Sequence, residues 1–414
     1  MSKRKILYLS MSIPYNKVRH AGGKTFNYYI NSFAEDTNNE VTLIAKVLPE
    51  EENKVNNINS KIRTLLVWTP HNIVKKYVSY LKSVNSKFNP LYPYGNVLTK
   101  EIYEQIELQL KKLYEEEYRP DVIVLEWTWM MLFIDKVKKY FPNAKYVASE
   151  HDVSFLGAKR ELDRANGIRK INRKLFYYNL KKRELESIKK CDYVVTHNNK
   201  DRRILLKNGI DGAKLGVIVP YFEKPEVVKR ENIGNDIIFY GAMNRYENEI
   251  SAIWFIENVM PRIMDLNVRY IIIGNKPSEK IKKYSSDKVI VTGFVEDIRP
   301  YFAQAKCLAA PIQAGAGIKV KILEAMAMGV PVLTNSMGIE GIDARDGYEY
   351  LHCETPEEYE NTIRKIFIGD IDAEEIAKKA ICMMDKNYDL KKSFGDYRER
   401  VYSLCEERKR VREK

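Results

Sequence analysis

The stretch PIQAGAGIKVKILEAMAMGVPVLT, residues 311–334, sets Lys319, Lys321 and Glu324 just behind a loop that contains Gly315 and Gly317. The spacing predicts a helix from about Ile318 to Met328, with Ile322, Leu323 and Met326 inward and Lys321, Glu324 and Met328 outward. A helix N-terminus carries partial positive charge and favours acids, so two lysines there are out of place. The loop offers no Ser, Thr, Asp or Asn as a cap. Uncapped amides, glycines that let a ligand approach and two cations together form an anion site. The alternative is a poorly capped surface helix, with Lys321 and Glu324 as a weak pair worth about 0.2–0.5 kcal/mol.

Other chemistry-bearing residues follow apolar runs. Gly241 and Arg245 lie in FYGAMNRYENEI, and a guanidinium can grip two phosphate oxygens at once. Gly22 and Gly23 stand in RHAGGKTFNYYI, at a glycine turn ahead of a helix, with Lys24 beside them. This falls short of a full GxGxxG. His151, in YVASEHDVSF, is flanked by Glu150 and Asp152, whose charges would favour an imidazolium. A lone histidine is as readily structural. Gly293 and Phe294 end the run KVIVTGF. Asp370 and Asp372 form an Asp-x-Asp, but Asp372 with Glu375 reads as a helix cap and its partner, which requires no metal.

The elements that position these residues alternate. Strands are expected at KILYLS, VTLIA, IRTLLVW, DVIVLEW, AKYVAS, DYVVTH and GVIVP, then at DIIFYG, VRYIIIG, KVIVTG, CLAAPI, PVLTN and YEYLH. Most are continuously apolar, as strands buried on both faces are. Helical stretches between them imply an α/β class with two Rossmann-like, doubly wound domains and a cleft between them. The expected division is residues 1–220, a polar linker at 221–235 with Pro225 and Gly234, residues 236–388, and a charged C-terminal helix at 389–414 that packs back. Ligands of such sheets sit beyond the carboxyl ends of the strands.

Composition narrows the class. Residues 1–220 hold 39 Lys and Arg against 24 Asp and Glu, a balance of +15, within a total of +13, so residues 221–414 balance at −2. One half of the chain therefore suits an anionic surface or substrate. The basic run 159–190, and the lysines and tyrosines of HNIVKKYVSYLKSVNSKFNPLYPYG at 71–95, suit anionic lipid; a helix covering the sheet is the plainer reading of the latter. The five cysteines are scattered, which fits reduced thiols in the cytoplasm. No run of about 18 apolar residues exists.

GAGIKVKILEAMAMGVPVLT followed by GIEGI resembles the donor-site signature of GT-B glycosyltransferases, most nearly the retaining, family-four (group 1) type. The resemblance is strong over about 230–350 and weaker over 1–220. It implies that Glu324 holds the ribose of a sugar nucleotide, while the backbone before it, with Gly315, Gly317, Ile318, Lys319 and Lys321, meets sugar and diphosphate. Gly241 and Arg245 match the family's phosphate-binding turn, Gly293 and Phe294 the nucleobase segment, and Gly22 and Gly23 the glycine pair near the reaction centre. His151 matches a histidine at the sugar-facing edge, which makes His151, Arg245 and Glu324 the catalytic set. Many members carry a glutamate eight residues before Glu324; here it is Ala316. A lysine common after the arginine is also absent, where Glu247 and Glu249 stand.

The implied activity is a metal-independent, retaining hexosyl-type transfer with no cofactor. It moves a sugar from a nucleotide-diphosphate sugar to a saccharide or lipid-linked acceptor, in cell-surface polysaccharide or glycolipid synthesis. Such an enzyme would be cytoplasmic or peripheral on the inner membrane face. Two alternatives remain: a sugar-nucleotide epimerase of the same architecture, and a basic nucleic-acid-binding protein. The latter lacks any recognised nucleic-acid motif, so nucleic acid is not among the expected partners.

Overall fold

The computed structural model describes residues 3–15, 18, 21–68, 100–220, 224–315 and 317–412. The segment 71–95 and Ala316 lie outside the described residues. The chain divides into two compact units, Met1–Tyr221 with Leu390–Lys414, and Phe222–Asp389.

In the first unit, the parallel strands β1 (Arg4–Ser10), β2 (Asn39–Val47), β3 (Ile62–Trp68), β4 (Val122–Glu126), β5 (Lys145–Glu150), β6 (Tyr193–Thr196) and β7 (Leu215–Val217) form one sheet. Its order is β3-β2-β1-β4-β5-β6-β7. The reason for the continuously apolar runs is visible in β1. Ile6 and Tyr8 enter one core and Leu7 and Leu9 the other, so both faces are buried. Helix α1 (Ala21–Glu35) supplies Phe26, Tyr29, Ile30 and Phe33 to the first core. Helix α2 (Lys100–Glu115) supplies Ile102, Ile106, Leu110 and Leu113 to the second.

The strand expected to run through Trp127 stops at Glu126. Trp127 takes φ +65° and starts α3 (Trp127–Met131), followed by α4 (Ile134–Tyr140). After β5 come α5 (Ser154–Asp163) and the long α6 (Gly167–Lys189), and after β6 comes α7 (Asn199–Lys207).

In the second unit, β8 (Asp236–Tyr240), β9 (Arg269–Ile273), β10 (Val289–Gly293), β11 (Cys307–Ala310), β12 (Val332–Thr334) and β13 (Leu351–His352) form a parallel sheet of order β10-β9-β8-β11-β12-β13. Its helices are α8 (Tyr246–Asn258), α9 (Glu279–Lys282), α10 (Arg299–Gln304), α11 (Val320–Met328), α12 (Pro356–Ile368) and α13 (Ala373–Asn387). The described part of the stretch read as linker is packed on this unit. Val228 N–H donates to the Met328 carbonyl at 3.1 Å, and Arg230 pairs with both oxygens of Glu374 at 2.8 and 2.9 Å. Asp372 accepts the Glu375 N–H at 3.0 Å, so it caps α13.

The final helix, α14 (Leu390–Arg412), belongs to the first unit. Tyr397, Val401, Leu404 and Cys405 enter its first core, and Phe394 sits edge-on to Phe33 at 5.3 Å.

Candidate functional site

Each sheet has a switch point, where consecutive connections leave in opposite directions and open a crevice beyond the strand ends. In the second unit this lies between β8 and β11, and in the first between β1 and β4.

Around the β8/β11 switch point stand Gly241 and Arg245 after β8, and Gly315, Gly317, Ile318, Lys319, Lys321 and Glu324 after β11. Helix α11 starts at Val320, two residues later than the spacing predicted, with Lys319 at its cap position and no side-chain cap bond. The amides of its first turn therefore lack side-chain acceptors. Met328 was expected to point outward but is buried, as are Ala325 and Ala327. This helix is covered nearly all round, and Lys321 and Glu324 are partly exposed exceptions.

The Lys321 ammonium is tucked in rather than splayed. It donates to Asn248 Oδ1 and lies 4.8 Å from the centre of the Phe239 ring. Gly241 takes φ +155°, which other residues rarely adopt, and a Cβ there would come within 3.0 Å of the ammonium and 2.8 Å of Asn248 Nδ2, so this turn favours glycine. Asn248 also donates to the Ala242 carbonyl at 2.9 Å, and joins the two loops. The Gln313 N–H donates to Ser251 Oγ at 3.1 Å and ties the glycine loop to α8.

Burial drives the Lys321 pKa from 10.5 down to about 7, with the Arg245 and Lys319 charges adding to the drop and Glu247 and Glu324 opposing it. Arg245, at the start of α8, pairs with Glu247 at 2.5 Å, and its side chain is 60% exposed. Lys319 folds back to the Gly317 carbonyl at 2.7 Å. The Tyr240 hydroxyl is pushed up to about 12 by burial, with the Glu324 carboxylate contributing. Gly293 ends β10, two strands from β8 on the same edge of the sheet, and its carbonyl accepts the Gly274 N–H at 3.1 Å. Phe294 is 75% exposed.

In the first unit, Gly22 in α1, Trp127 after β4 and His151 after β5 converge. A Cβ on Gly22 would meet His151 Nδ1 at 3.2 Å and Trp127 Nε1 at 3.5 Å. Gly23 is its neighbour in the same first turn. The His151 ring stacks on the Trp127 indole at 4.3 Å and 13°, and Phe26 meets the other ring edge-on at 5.6 Å. A tryptophan at positive φ costs about 1–2 kcal/mol, and this stacking holds it there.

The carboxylate that reaches His151 was not singled out from the sequence. Glu126 Oε2 lies 2.8 Å from His151 Nε2. Glu150, expected to charge the imidazole, turns away instead. It accepts from Thr128 Oγ1 at 2.5 Å and forms a buried pair with Glu184, which caps α5 through the N–H groups of Ser154 and Phe155 at 2.8 and 3.0 Å. Burial raises both carboxyl pKa values, Glu184 to about 7. Adjacent residues of a strand face opposite sides, which is why sequence neighbours are poor guides here.

Glu126 is also raised to about 7 by burial, against the Ser149 hydrogen bond and the His197 charge. His197, whose ring is 4.5 Å from that of His151, is pushed down to about 3 by burial and then by His151. Neither of its ring nitrogens has a hydrogen-bond partner among the described residues. His197, Glu126, Ser149, His151 and Tyr397 line a cavity with room for about one water molecule. The signal that would have found Glu126, Trp127 and His197 is their position at the ends of adjacent strands.

Residues 234–368 match the family model described as Glycosyl transferases group 1. A stretch of 171 residues is 26% identical to an uncharacterized 44.6 kDa protein in the cps region of Klebsiella pneumoniae, covering 39% of this chain and 44% of that protein, less than half its length. Two solved structures share the fold over nearly the whole chain. One is HepE from Anabaena in complex with UDP, at TM-score 0.62 and 13% identity, covering 96% of this chain and 100% of that one. The other is a sucrose-phosphate synthase from Thermosynechococcus elongatus, at TM-score 0.66 and 12% identity, covering 97% and 99%. The family match covers about a third of the chain, within the second unit, and the two-sheet α/β architecture is shared with these solved structures.

Proposed function

We propose that this chain transfers a sugar from a nucleoside-diphosphate donor, held by the second unit, to an acceptor hydroxyl with retention of configuration. The observation that carries this reading is the cationic cluster at the β8/β11 switch point. Arg245, Lys319 and Lys321 surround an uncapped helix start, and burial, with repulsion from the neighbouring cations, lowers the Lys321 pKa to about 7. A diphosphate placed there would satisfy the amides and restore the ammonium. Glu324, one turn on, would accept from ribose hydroxyls, and the exposed strand end at Gly293 and Phe294 would lie along the base.

In the chemical step, charge develops on the leaving diphosphate, and the same cations and amides stabilise it. Glu126, the carboxylate on His151, is buried and committed to the imidazole, so it does not serve as a covalent nucleophile. This favours a front-face displacement, in which the leaving diphosphate helps take the acceptor proton. His151, fixed by Trp127 and Glu126, is the first unit's contribution to the reaction in this reading. The reaction needs no metal in this reading, and the likeness to a cps-region protein favours a polysaccharide or glycolipid acceptor.

The test is calorimetry with UDP-, GDP-, ADP- and CMP-sugars, with and without EDTA, followed by anomeric assignment of the product by NMR. At least one donor should bind with EDTA present and yield a retained linkage. No binding by any donor, or an inverted product, overturns the reading. Release of nucleoside diphosphate only in the presence of acceptor separates it from an epimerase.

A further inference from the structure

Helix α6 carries an apolar stripe that no described residue covers. Ile168 is 80% exposed, Ile171 and Leu175 62% each, and Tyr178 59%. Their spacings of three, four and three residues place them on one face, along about 15 Å of helix. The opposite face, with Leu180, Glu184, Ser187 and Ile188, is the buried one. Exposed large side chains scattered singly need no explanation, but a continuous row does.

The charge around the row is of one sign. From Arg164 to Arg183 the chain holds eight Lys or Arg and no Asp or Glu. Arg173 is paired with Glu161 at 2.7 Å, while Arg169, Lys170, Lys174 and Lys182 are exposed and enter no ion pair among the described residues. A second copy of this helix would bring like charges together, which disfavours self-association through this face. Three of the four side chains in the row are aliphatic, and Tyr178 alone gives nucleic-acid bases no succession of aromatic platforms to stack on. Apolar side chains flanked by flexible cations fit the boundary of an anionic bilayer, where the chains enter the acyl region and the ammonium groups rise to the headgroups. No helix among the described residues is long and apolar enough to cross a membrane, so the contact is peripheral.

We propose that the exposed face of α6, through Ile168, Ile171, Leu175, Tyr178 and the flanking Lys174 and Lys182, docks the first unit onto an anionic lipid surface. Helix α5 begins three residues after His151 and leads directly into α6. A lipid-linked acceptor would thus be presented to the His151 edge of the sheet; this last step rests on the proposed transferase reading, whereas the docking itself does not.

The test is flotation of the full chain with vesicles of phosphatidylcholine alone and of phosphatidylcholine with 30% phosphatidylglycerol (about one anionic lipid in three, enough to set up a surface potential). The parent should partition at least about tenfold more strongly into the anionic vesicles, and less so as salt rises. Lys174→Gln and Lys182→Gln together should lower anionic partitioning by about twenty-five-fold, at roughly fivefold per charge. Ile168→Ser, Ile171→Ser and Leu175→Ser together should lower it at least about tenfold at unchanged charge. Thermal melts and UDP binding, which report the fold and the second unit, should stay at the parent's values in both variants. Equal partitioning into both vesicles, or variants that float like the parent, overturns the proposal. So does a dimer in sedimentation velocity that the serine variant abolishes while vesicle binding is unchanged. Absence of any nucleotide-sugar binding with vesicle binding intact would sink the transferase reading and leave the docking standing.

Discussion

Lys321→Met should make this protein more stable near pH 7 and a weaker binder of nucleoside diphosphate. The ammonium faces the Phe239 ring, Asn248 and the Gly241 turn, and the charged groups about it are Arg245, Lys319, Glu247 and Glu324. The fall of its pKa from 10.5 to about 7 corresponds to about 5 kcal/mol between its two protonation states. The side chain is partly exposed, so a working figure after solvent screening is about 2–4 kcal/mol.

The sign follows from a pKa depressed in the folded state. The contribution of Lys321 to stability is present above pH 10.5 and is lost as pH falls to about 7. Methionine removes that loss while keeping the volume, and leaves Asn248 without one partner at about 1 kcal/mol. The net expectation is a gain of about 1–3 kcal/mol at pH 7, shrinking toward zero or below near pH 10. Urea melts of parent and variant at both pH values measure it.

Ligand binding supplies the second half. A diphosphate is fully ionised at pH 8, where a group of pKa about 7 is only about one-tenth protonated. Binding UDP should then take up close to one proton, read as the dependence of calorimetric heat on buffer ionisation enthalpy. The variant should lose this uptake and about tenfold to a hundredfold in affinity. A variant less stable than the parent at pH 7, together with no proton uptake by the parent, would refute the reasoning.

Three further outcomes are expected. Glu126→Gln should lower turnover about tenfold to a hundredfold and shift its pH profile, because the imidazole loses its carboxylate. Its stability relative to the parent should grow as pH rises from about 4.5 to about 7, since burial raises the Glu126 pKa and the parent loses stability over that window. Gly22→Ala should cost about tenfold in turnover, because its Cβ would press on His151 Nδ1 and shift the imidazole by a few tenths of an ångström, while a thermal melt registers less than about 1 kcal/mol. Asp372→Ala should cost about 1 kcal/mol by removing the cap of α13, with turnover insensitive to EDTA in both parent and variant.

How much of this was legible varies by element. KILYLS and VRYIIIG could be read as strands because burial on both faces leaves no room for polar residues. The capping role of Asp372 was readable because a cap is local chemistry. The burial of Met328 was not, since the same residues would suit a helix covered on one side only. Glu126 was missed because it sits in an apolar run and meets His151 only when two strands lie side by side in register.

From the sequence alone come the alternation of strands and helices, the uneven charge, and the presence of cations and glycines where strands end. These are properties of short windows, in which neighbouring residues constrain one another directly. Only the tertiary structure decided that Asn248 holds Lys321, that Glu126 rather than Glu150 reaches His151, and that α6 carries an apolar row no described residue covers. Each of these depends on which strands become neighbours and which helix face the sheet covers, and both are set by burial summed over the whole unit.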